Sequence, residues 1–232
     1  MDADVLSAYD GSFRRDEPGE GSSPGQRSSA GQDVEAGQGS GHGRIAITFD
    51  DGPHPDSTIP VLDRLDKLGI RATFFCLGSM VAKYPELVTE IISRGHDVGM
   101  HGYEHVDHLL RTPRWIWRDM RRCVAELDKG IQLRWFRPPK GVITGTTLIA
   151  AKYSGLDIVL WSAWGKEWTT TDPEQVAQRV IRRLDAGVIV LLHDADTTSP
   201  PGTWKVAYEA LPRIADAATA RHLYPVTLSE LL

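Results

Sequence analysis

The residues of this chain that could carry out hydrolysis lie in four short strings. They are Asp50 and Asp51, His101 and His105, Arg137, and the pair His193 and Asp194. Two imidazoles and a carboxylate are a common ligand set for a hydrolytic Zn²⁺ that keeps one coordination position open. A second carboxylate can then act as a general base, and a further histidine can act as a general acid. These side chains therefore suffice for metal-assisted hydrolysis of an amide or an ester.

Length and composition place these residues in one large domain. A chain of 232 residues fits a single α/β barrel. Cys76 and Cys123 lie in apolar runs and are expected to be buried thiols, so no disulfide framework is indicated. No apolar stretch approaches the ~20 residues of a membrane span. The N-terminus also lacks the basic and apolar regions of a secretory signal, so we expect a cytoplasmic protein.

Residues 1–43 differ from the rest of the chain in composition and charge. They contain nine Gly and seven Ser residues and hardly any large apolar side chain, so they cannot bury enough surface to offset the entropy of ordering. We expect a disordered acidic tail over 1–43 and a catalytic domain over 44–232. The eight acidic and three basic residues of the tail account for the formal net charge of −5. The formally neutral domain gives no electrostatic reason to bind nucleic acid or an anionic membrane.

From Arg44 onward, apolar runs alternate with amphipathic segments. The amphipathic segments carry signals for the start and end of a helix. For example, Asp172-Pro173-Glu174 predicts the start of a helix that is expected to end at Gly187. Such alternation, repeated about seven times, predicts an α/β fold with a parallel sheet that is open or closed into a barrel. The predicted strands are 45–49, 73–77, 97–100, 134–137, 157–161, 188–192 and 223–227.

The candidate residues fall at the ends of these predicted strands. Asp50 and Asp51 follow the first strand, and His101 follows the third. Arg137 ends the fourth strand, and His193 follows the sixth. Because active sites of parallel α/β folds assemble at the carboxyl ends of the strands, we expect these side chains to meet at one rim.

Other polar residues near the motifs are interpreted as structural. His96 is expected in a loop, and His108 is expected at the surface. Glu104 is expected to pair with a surface cation rather than to touch the metal.

Taken together, the strings resemble the motifs of polysaccharide deacetylases, which share the NodB homology domain. The segments that carry the resemblance are 48–53, 101–105, 137–141 and 191–194. It spans about 44–230 and implies a distorted (β/α) barrel of about seven parallel strands. It also implies a divalent metal held by Asp51, His101 and His105. Zn²⁺ is the expected ion, and Co²⁺, Ni²⁺ or Mn²⁺ could replace it.

The same resemblance implies catalytic roles. Asp50 would be the general base for the metal-bound water that attacks the amide carbonyl, and Arg137 would pair with it. Because side chains of adjacent residues in a strand point to opposite faces, only one aspartate is expected to ligate easily. His193 would protonate the leaving amine and needs a partner on its other ring nitrogen. Glu167 is assigned as that partner, at a position where the family often has Asp.

Departures from the family pattern concern the surroundings of the metal and the substrate. Gly102 stands where a Ser or Thr is usual, which removes a hydroxyl near the metal ligands. Lys140 stands where a Tyr is usual. Its backbone N–H would still help to hold the oxyanion, but the side chain facing the sugar differs. Trp168 and Leu191 are expected to wall the acetyl pocket.

We therefore expect a metal-dependent N-deacetylase acting on an N-acetylated amino sugar, in a soluble oligosaccharide or a sugar-bearing metabolite. A deformylase or cyclic-amide hydrolase with a non-sugar substrate remains an alternative, and Lys140 would favour a carboxylate-bearing substrate there. A catalytically silent binding domain is disfavoured by the complete set of site residues. The sequence does not indicate the oligomeric state.

Overall fold

A computed structural model describes residues 43–127 and 131–232, so the tail predicted over 1–43 lies outside the described residues except for Gly43. The described chain alternates strands with helices, as predicted. The strands are β1 (Gly43–Asp50), β2 (Thr73–Cys76), β3 (Asp97–Met100), β4 (Trp135–Phe136), β5 (Asp157–Ile158), β6 (Ala163–Trp164), β7 (Ile189–His193) and β8 (Leu223–Val226).

The strands form one parallel sheet in the order β5-β4-β3-β2-β1-β7-β6, and β8 pairs with the first half of β1. The two edges, β5 and β6, are joined by residues 159–162 alone. Because an extended chain covers at most about 3.6 Å per residue, these edges must lie near each other. The sheet is therefore a distorted, incompletely closed barrel, which confirms the predicted fold class.

The central strand β1 aligns the ends of its neighbours. It is buried from Ile45 to Asp50, which is typical of a parallel sheet covered on both faces. In the register of the sheet, Asp50 lies opposite Phe75 of β2 and His193 of β7. The polar residues that end β1 and β7 are thus neighbours.

The helices pack around the sheet and mostly follow the sequence signals. At the start of α6, the Asp172 side chain accepts a hydrogen bond from the Glu174 N–H at 2.9 Å. The helix ends at Ile181, not near Gly187 as predicted, and the Ile181 carbonyl accepts from the Arg221 guanidinium at 2.7 Å. The helices are α1 (Thr58–Leu68), α2 (Gly78–Val81), α3 (Pro85–Ser93), α4 (Pro113–Leu127), α5 (Gly145–Tyr153), α6 (Pro173–Ile181), α7 (Thr203–Ala220) and α8 (Leu228–Leu231).

The strand predicted over 157–161 is shorter in the structure. It ends at Ile158, and the carbonyls of Val159 and Leu160 accept hydrogen bonds from the Arg137 guanidinium at 3.3 and 3.4 Å. These carbonyls turn toward the buried arginine instead of toward a neighbouring strand. The chain then pairs again as β6, which the sequence pattern did not predict.

Candidate active site

The carboxyl ends of four strands bring the predicted residues to one rim. Asp50 ends β1 and His193 ends β7, while His101 directly follows β3 and Arg137 directly follows β4. His105 lies in the irregular segment after His101. The sequence therefore predicted correctly where in the fold these side chains lie.

Asp51 leaves the central strand in a left-handed turn. Its φ is 80°, a region that Asp tolerates better than most residues. Gly52 follows because a side chain at that position would collide with the Asp194 carboxylate. Asp194 accepts a hydrogen bond from the Thr58 hydroxyl at 2.8 Å. Burial raises the pKa of Asp194 to about 7, against the effect of the Thr58 hydrogen bond.

This turn changes the relation between the two adjacent aspartates. Asp50 Oδ2 and Asp51 Oδ1 each lie 3.6 Å from His101 Nε2. The expected divergence to opposite faces of a strand was wrong, because the strand ends at Asp50 and the turn brings Asp51 back toward the same histidine.

Asp51, His101 and His105 form a cluster whose ligand atoms all lie within 4.8 Å of one another. Asp51 Oδ1 is 3.6 Å from His101 Nε2 and 3.7 Å from His105 Nε2. Two ligands of a tetrahedral zinc ion are about 3.4 Å apart. This oxygen is buried and has no hydrogen-bond partner within the described residues. The three side chains therefore fit a divalent cation.

Both histidines are suited to ligate through Nε2. His101 Nδ1 lies 2.8 Å from the carbonyl oxygen of Arg137, which accepts the ring proton and leaves the lone pair on Nε2. Burial lowers the pKa of His105 to about 4, although the charge of Asp51 opposes this shift. A neutral imidazole is the form that binds a metal.

Arg137 holds Asp50 through one carboxylate oxygen. Arg137 Nη1 donates to Asp50 Oδ1 at 2.7 Å and to Thr48 Oγ1 at 2.8 Å. The guanidinium is fully buried and stacks on the Phe75 ring, 4.0 Å from its centre. The other oxygen of Asp50 faces the His101 side of the site, where it is available to accept a proton.

His193 and Glu167 form a second polar pair. Glu167 Oε1 accepts from the His193 backbone N–H at 2.9 Å and lies 3.3 Å from the ring Nδ1. Burial by itself lowers the pKa of His193, but the charge and hydrogen bond of Glu167 raise it. The charges of Asp51 and Asp50 raise it further by smaller amounts. The resulting pKa is about 9. The ring is thus protonated at neutral pH, as a general acid must be.

An aromatic wall stands beside His193. The Trp168 ring meets the His193 ring edge-on at 5.4 Å. Trp164 lies 5.1 Å from Trp168, and Trp161 lies 5.3 Å from Trp164. Of the two residues predicted for the acetyl pocket, Trp168 is 37% exposed and Leu191 only 2%. Trp168 therefore offers surface to a ligand, whereas Leu191 offers almost none.

A cavity of about 480 Å³ opens next to the cluster. Lys140 lies on it, at a φ of 59°. Glu104 also lies on it, and its carboxylate forms no ion pair with the part of the chain that the structure describes. The lining residues are Leu77, Ser79, Glu104, His105, Lys140, Thr197 and Thr198. Glu104, His105 and Lys140 belong to the sequence motifs, which gave no signal that the other lining residues lie at the site.

Comparison with known proteins decides the family. Residues 37–159 match the family model described as polysaccharide deacetylase. The chain belongs to the polysaccharide deacetylase family. The resemblance seen in the motifs is thereby confirmed, and the chain is a hydrolytic N-deacetylase.

Curated relatives of this deacetylase match most of its length. A chitooligosaccharide deacetylase of Bradyrhizobium sp. is 31% identical over 189 residues, which cover 80% of this chain and 85% of the relative. A peptidoglycan-N-acetylglucosamine deacetylase of Bacillus cereus is 33% identical over 192 residues, which cover 81% of this chain and 87% of the relative.

Solved structures agree with the fold of this deacetylase. The Bc1960 peptidoglycan N-acetylglucosamine deacetylase has a TM-score of 0.76 at 27% identity, over 82% of this chain and 88% of the other. A family 4 carbohydrate esterase from Streptomyces lividans, in complex with acetate, has a TM-score of 0.70 at 30% identity, over 79% of this chain and 91% of the other.

Among the described residues, no helix is long and apolar enough to cross a membrane. The cytoplasmic location stays a prediction.

Proposed function

We propose that this deacetylase removes the acetyl group from an N-acetylated amino sugar in an oligosaccharide or a sugar-bearing metabolite. The observation that carries the proposal is the convergence of the Asp51–His101–His105 cluster with Asp50 and His193 at one rim. The names of the relatives support the substrate class, since they act on chitooligosaccharide and on peptidoglycan N-acetylglucosamine.

We further propose that Asp51, His101 and His105 hold Zn²⁺, with Co²⁺, Ni²⁺ or Mn²⁺ as possible replacements. A cation held by these residues would supply Lewis-acid chemistry, polarising the amide carbonyl and making a water molecule more acidic. The proposal is supported by the buried Asp51 Oδ1 without a hydrogen-bond partner.

In this mechanism the remaining residues move protons and hold the substrate. Asp50 accepts the proton of the attacking water through Oδ2, because Arg137 occupies its Oδ1. His193 Nε2 donates a proton to the leaving amine, and Glu167 keeps Nδ1 occupied. The backbone N–H of Lys140 donates to the developing oxyanion.

Substrate contacts are proposed for the side chains of Trp168 and Lys140. Trp168 bounds the acetyl pocket, to which Leu191, at 2% exposure, offers almost no surface. The Lys140 ammonium, on the cavity next to His105, contacts the part of the substrate beyond the reacting amide. A cation at this position favours a substrate with an acidic substituent.

Release of acetate tests the function. The full chain, loaded with Zn²⁺, is incubated separately with N-acetylated chitooligosaccharides and with peptidoglycan fragments. Formylated amines and cyclic amides are tested in the same way, because they are the substrates of the alternative function. We expect acetate from at least one of the sugars. Formate release or ring opening in the absence of acetate would instead support the deformylase or cyclic-amide hydrolase. Asp50→Asn serves as the inactive control on every substrate.

A further inference from the structure

A hydroxyl from the loop between β7 and α7 reaches the carboxylate of the metal cluster. Thr198 Oγ1 donates to Asp51 Oδ2 at 2.5 Å. The other oxygen, Asp51 Oδ1, is the one that faces His101 and His105. We infer that Thr198 is a positioning residue, which fixes the rotation of the Asp51 carboxylate so that Oδ1 faces the cation. The inference rests on the proposed metal site.

The Asp51 carboxylate needs such a partner because its terminal side-chain torsion allows it to rotate. The terminal torsion of an Asp side chain has broad minima, so the carboxylate can rotate unless a hydrogen bond holds it. Rotation would move Oδ1 away from its positions 3.6 and 3.7 Å from the two Nε2 atoms of His101 and His105. Metal-ligating carboxylates are commonly held by hydrogen bonds of this kind.

The loop after His101 does not supply a hydroxyl at position 102. Gly102 has a φ of 83°, and a Cβ there would lie 3.2 Å from atoms of Asp119, Glu104 and Pro139. A Ser or Thr would be strained in this conformation. Thr198 offers a hydroxyl to the metal ligands from a different loop, which lies far away in the sequence.

The loop that carries Thr198 is fastened to the start of α7. Asp196 accepts from the backbone N–H groups of Gly202 and Trp204, at 2.5 and 2.8 Å. The Ser199 N–H donates to the Asp196 carbonyl at 3.4 Å. These contacts lie on both sides of Thr198 in the sequence and restrict where its hydroxyl can be. Thr198 is itself an exposed residue on the wall of the cavity, so its replacement should not disturb the core.

Metal affinity measured on the full chain tests this inference. The Zn²⁺ dissociation constant is determined by competition with a chromophoric chelator, and the Co²⁺ absorption spectrum reports the ligand geometry. Thr198→Val removes the hydroxyl and keeps the shape, and we expect the affinity to fall about 10–100-fold, with an altered Co²⁺ spectrum. Thr198→Ser retains the hydroxyl and should bind Zn²⁺ nearly as the wild type does. Thr197→Val, which changes the neighbouring residue on the same cavity, should bind like the wild type.

Three results would overturn the inference. Equal affinity in Thr198→Val and the wild type would show that the hydroxyl is not needed. Equal weakening in Thr198→Ser would show that the effect does not come from the hydroxyl. A wild-type chain that binds no divalent cation would remove the proposed metal site as well. If the wild type releases acetate and binds Zn²⁺ tightly, and Thr198→Val binds Zn²⁺ equally tightly, the inference about Thr198 fails and the proposed function stands. Thr198→Ala is measured in parallel, and circular dichroism checks that each variant is folded.

Discussion

At the scale of single residues, two carboxylates adjacent in sequence have different partners. Asp50 is bound by the buried guanidinium of Arg137. Asp51 is bound by the hydroxyl of Thr198 and turns its other oxygen to the histidines. The difference follows from the turn after Asp50. It predicts that substitutions of the two residues have different effects on metal content and turnover.

Asp50→Asn should keep the metal and lose turnover. The amide cannot accept the proton of the attacking water, and loss of a general base typically lowers kcat about 10²–10⁴-fold. Asp51→Asn should lose both metal and activity, because it removes a charged ligand. Metal content and kcat of the purified variants decide between these outcomes, with the exposed Asp216→Asn as a control. An empty metal site in Asp50→Asn would mean that the roles of the two aspartates are reversed.

The pairing of His193 with Glu167 predicts a change in the pH dependence of kcat. The pKa of His193 is raised to about 9, so the protonated ring persists up to that pH and is lost above it. Glu167→Gln removes the charge that raises this pKa. The alkaline limb of the kcat profile should then move to lower pH, and kcat at pH 8 should fall, with metal content unchanged.

A control for this experiment is Glu86→Gln, which changes an exposed carboxylate on α3. It should leave the profile in place. An alkaline limb that stays where it is in Glu167→Gln would show that Glu167 does not set the pKa of the general acid.

At the scale of elements, β1 both fills the core and orients the site. Thr48 is fully buried in this strand. Its hydroxyl donates to the Val190 carbonyl of β7 at 2.7 Å and accepts from Arg137 at 2.8 Å. One side chain thus connects two strands to the guanidinium that holds Asp50.

Thr48→Val should destabilise the fold and lower activity. The substitution keeps the shape and leaves a buried arginine N–H without an acceptor, which typically costs about 1–3 kcal/mol. Urea unfolding should show this loss of free energy, and kcat should fall because Arg137 is less firmly held. Thr197→Val, at an exposed position, is the control for stability. Unchanged stability in Thr48→Val would show that water or another group replaces the lost hydroxyl.

At the scale of the whole molecule, buried neutral histidines link stability to pH. The Ala72 N–H donates to His96 Nδ1 at 3.0 Å, so the ring proton is on Nε2, which is buried without a hydrogen-bond partner in the described chain. Burial lowers the pKa of His96, and it does the same for His108. The folded protein therefore takes up these protons at lower pH than the unfolded chain does.

The sign of this effect gives a prediction. The stabilisation is fully present above the unfolded histidine pKa of about 6.5, and it is lost as pH falls through the lowered folded pKa. The contribution of His96 and His108 to the free energy of unfolding should therefore decrease between pH 7 and pH 5, whereas the raised pKa values of His193 and Asp194 act in the opposite direction. His96→Gln should make this decrease smaller, because one group that titrates on unfolding is gone. Denaturant unfolding at a series of pH values measures both slopes, and equal slopes would contradict the assignment.

The sequence alone determined the fold class and the placement of Asp50, Asp51, His101, Arg137 and His193. Their strands could be recognised from local apolar runs. The carboxyl ends of parallel strands share one edge of a sheet, so positions after those runs are brought together whatever the details of packing. The two-residue strand β6 was missed, since two residues show no periodicity, and β5 was predicted at the right place but too long.

Tertiary structure decided which side chains surround these residues. His108 was expected at the surface, yet it is 1% exposed beneath α5, where its Nδ1 lies 3.0 Å from Thr147 Oγ1. Thr198 contacts Asp51 although the two residues are 147 positions apart in the sequence, and no sequence motif predicts this contact. Local patterns report which face of an element is apolar. They do not report which distant loop lies across from a carboxylate, because that depends on how the helices and loops pack on the finished sheet.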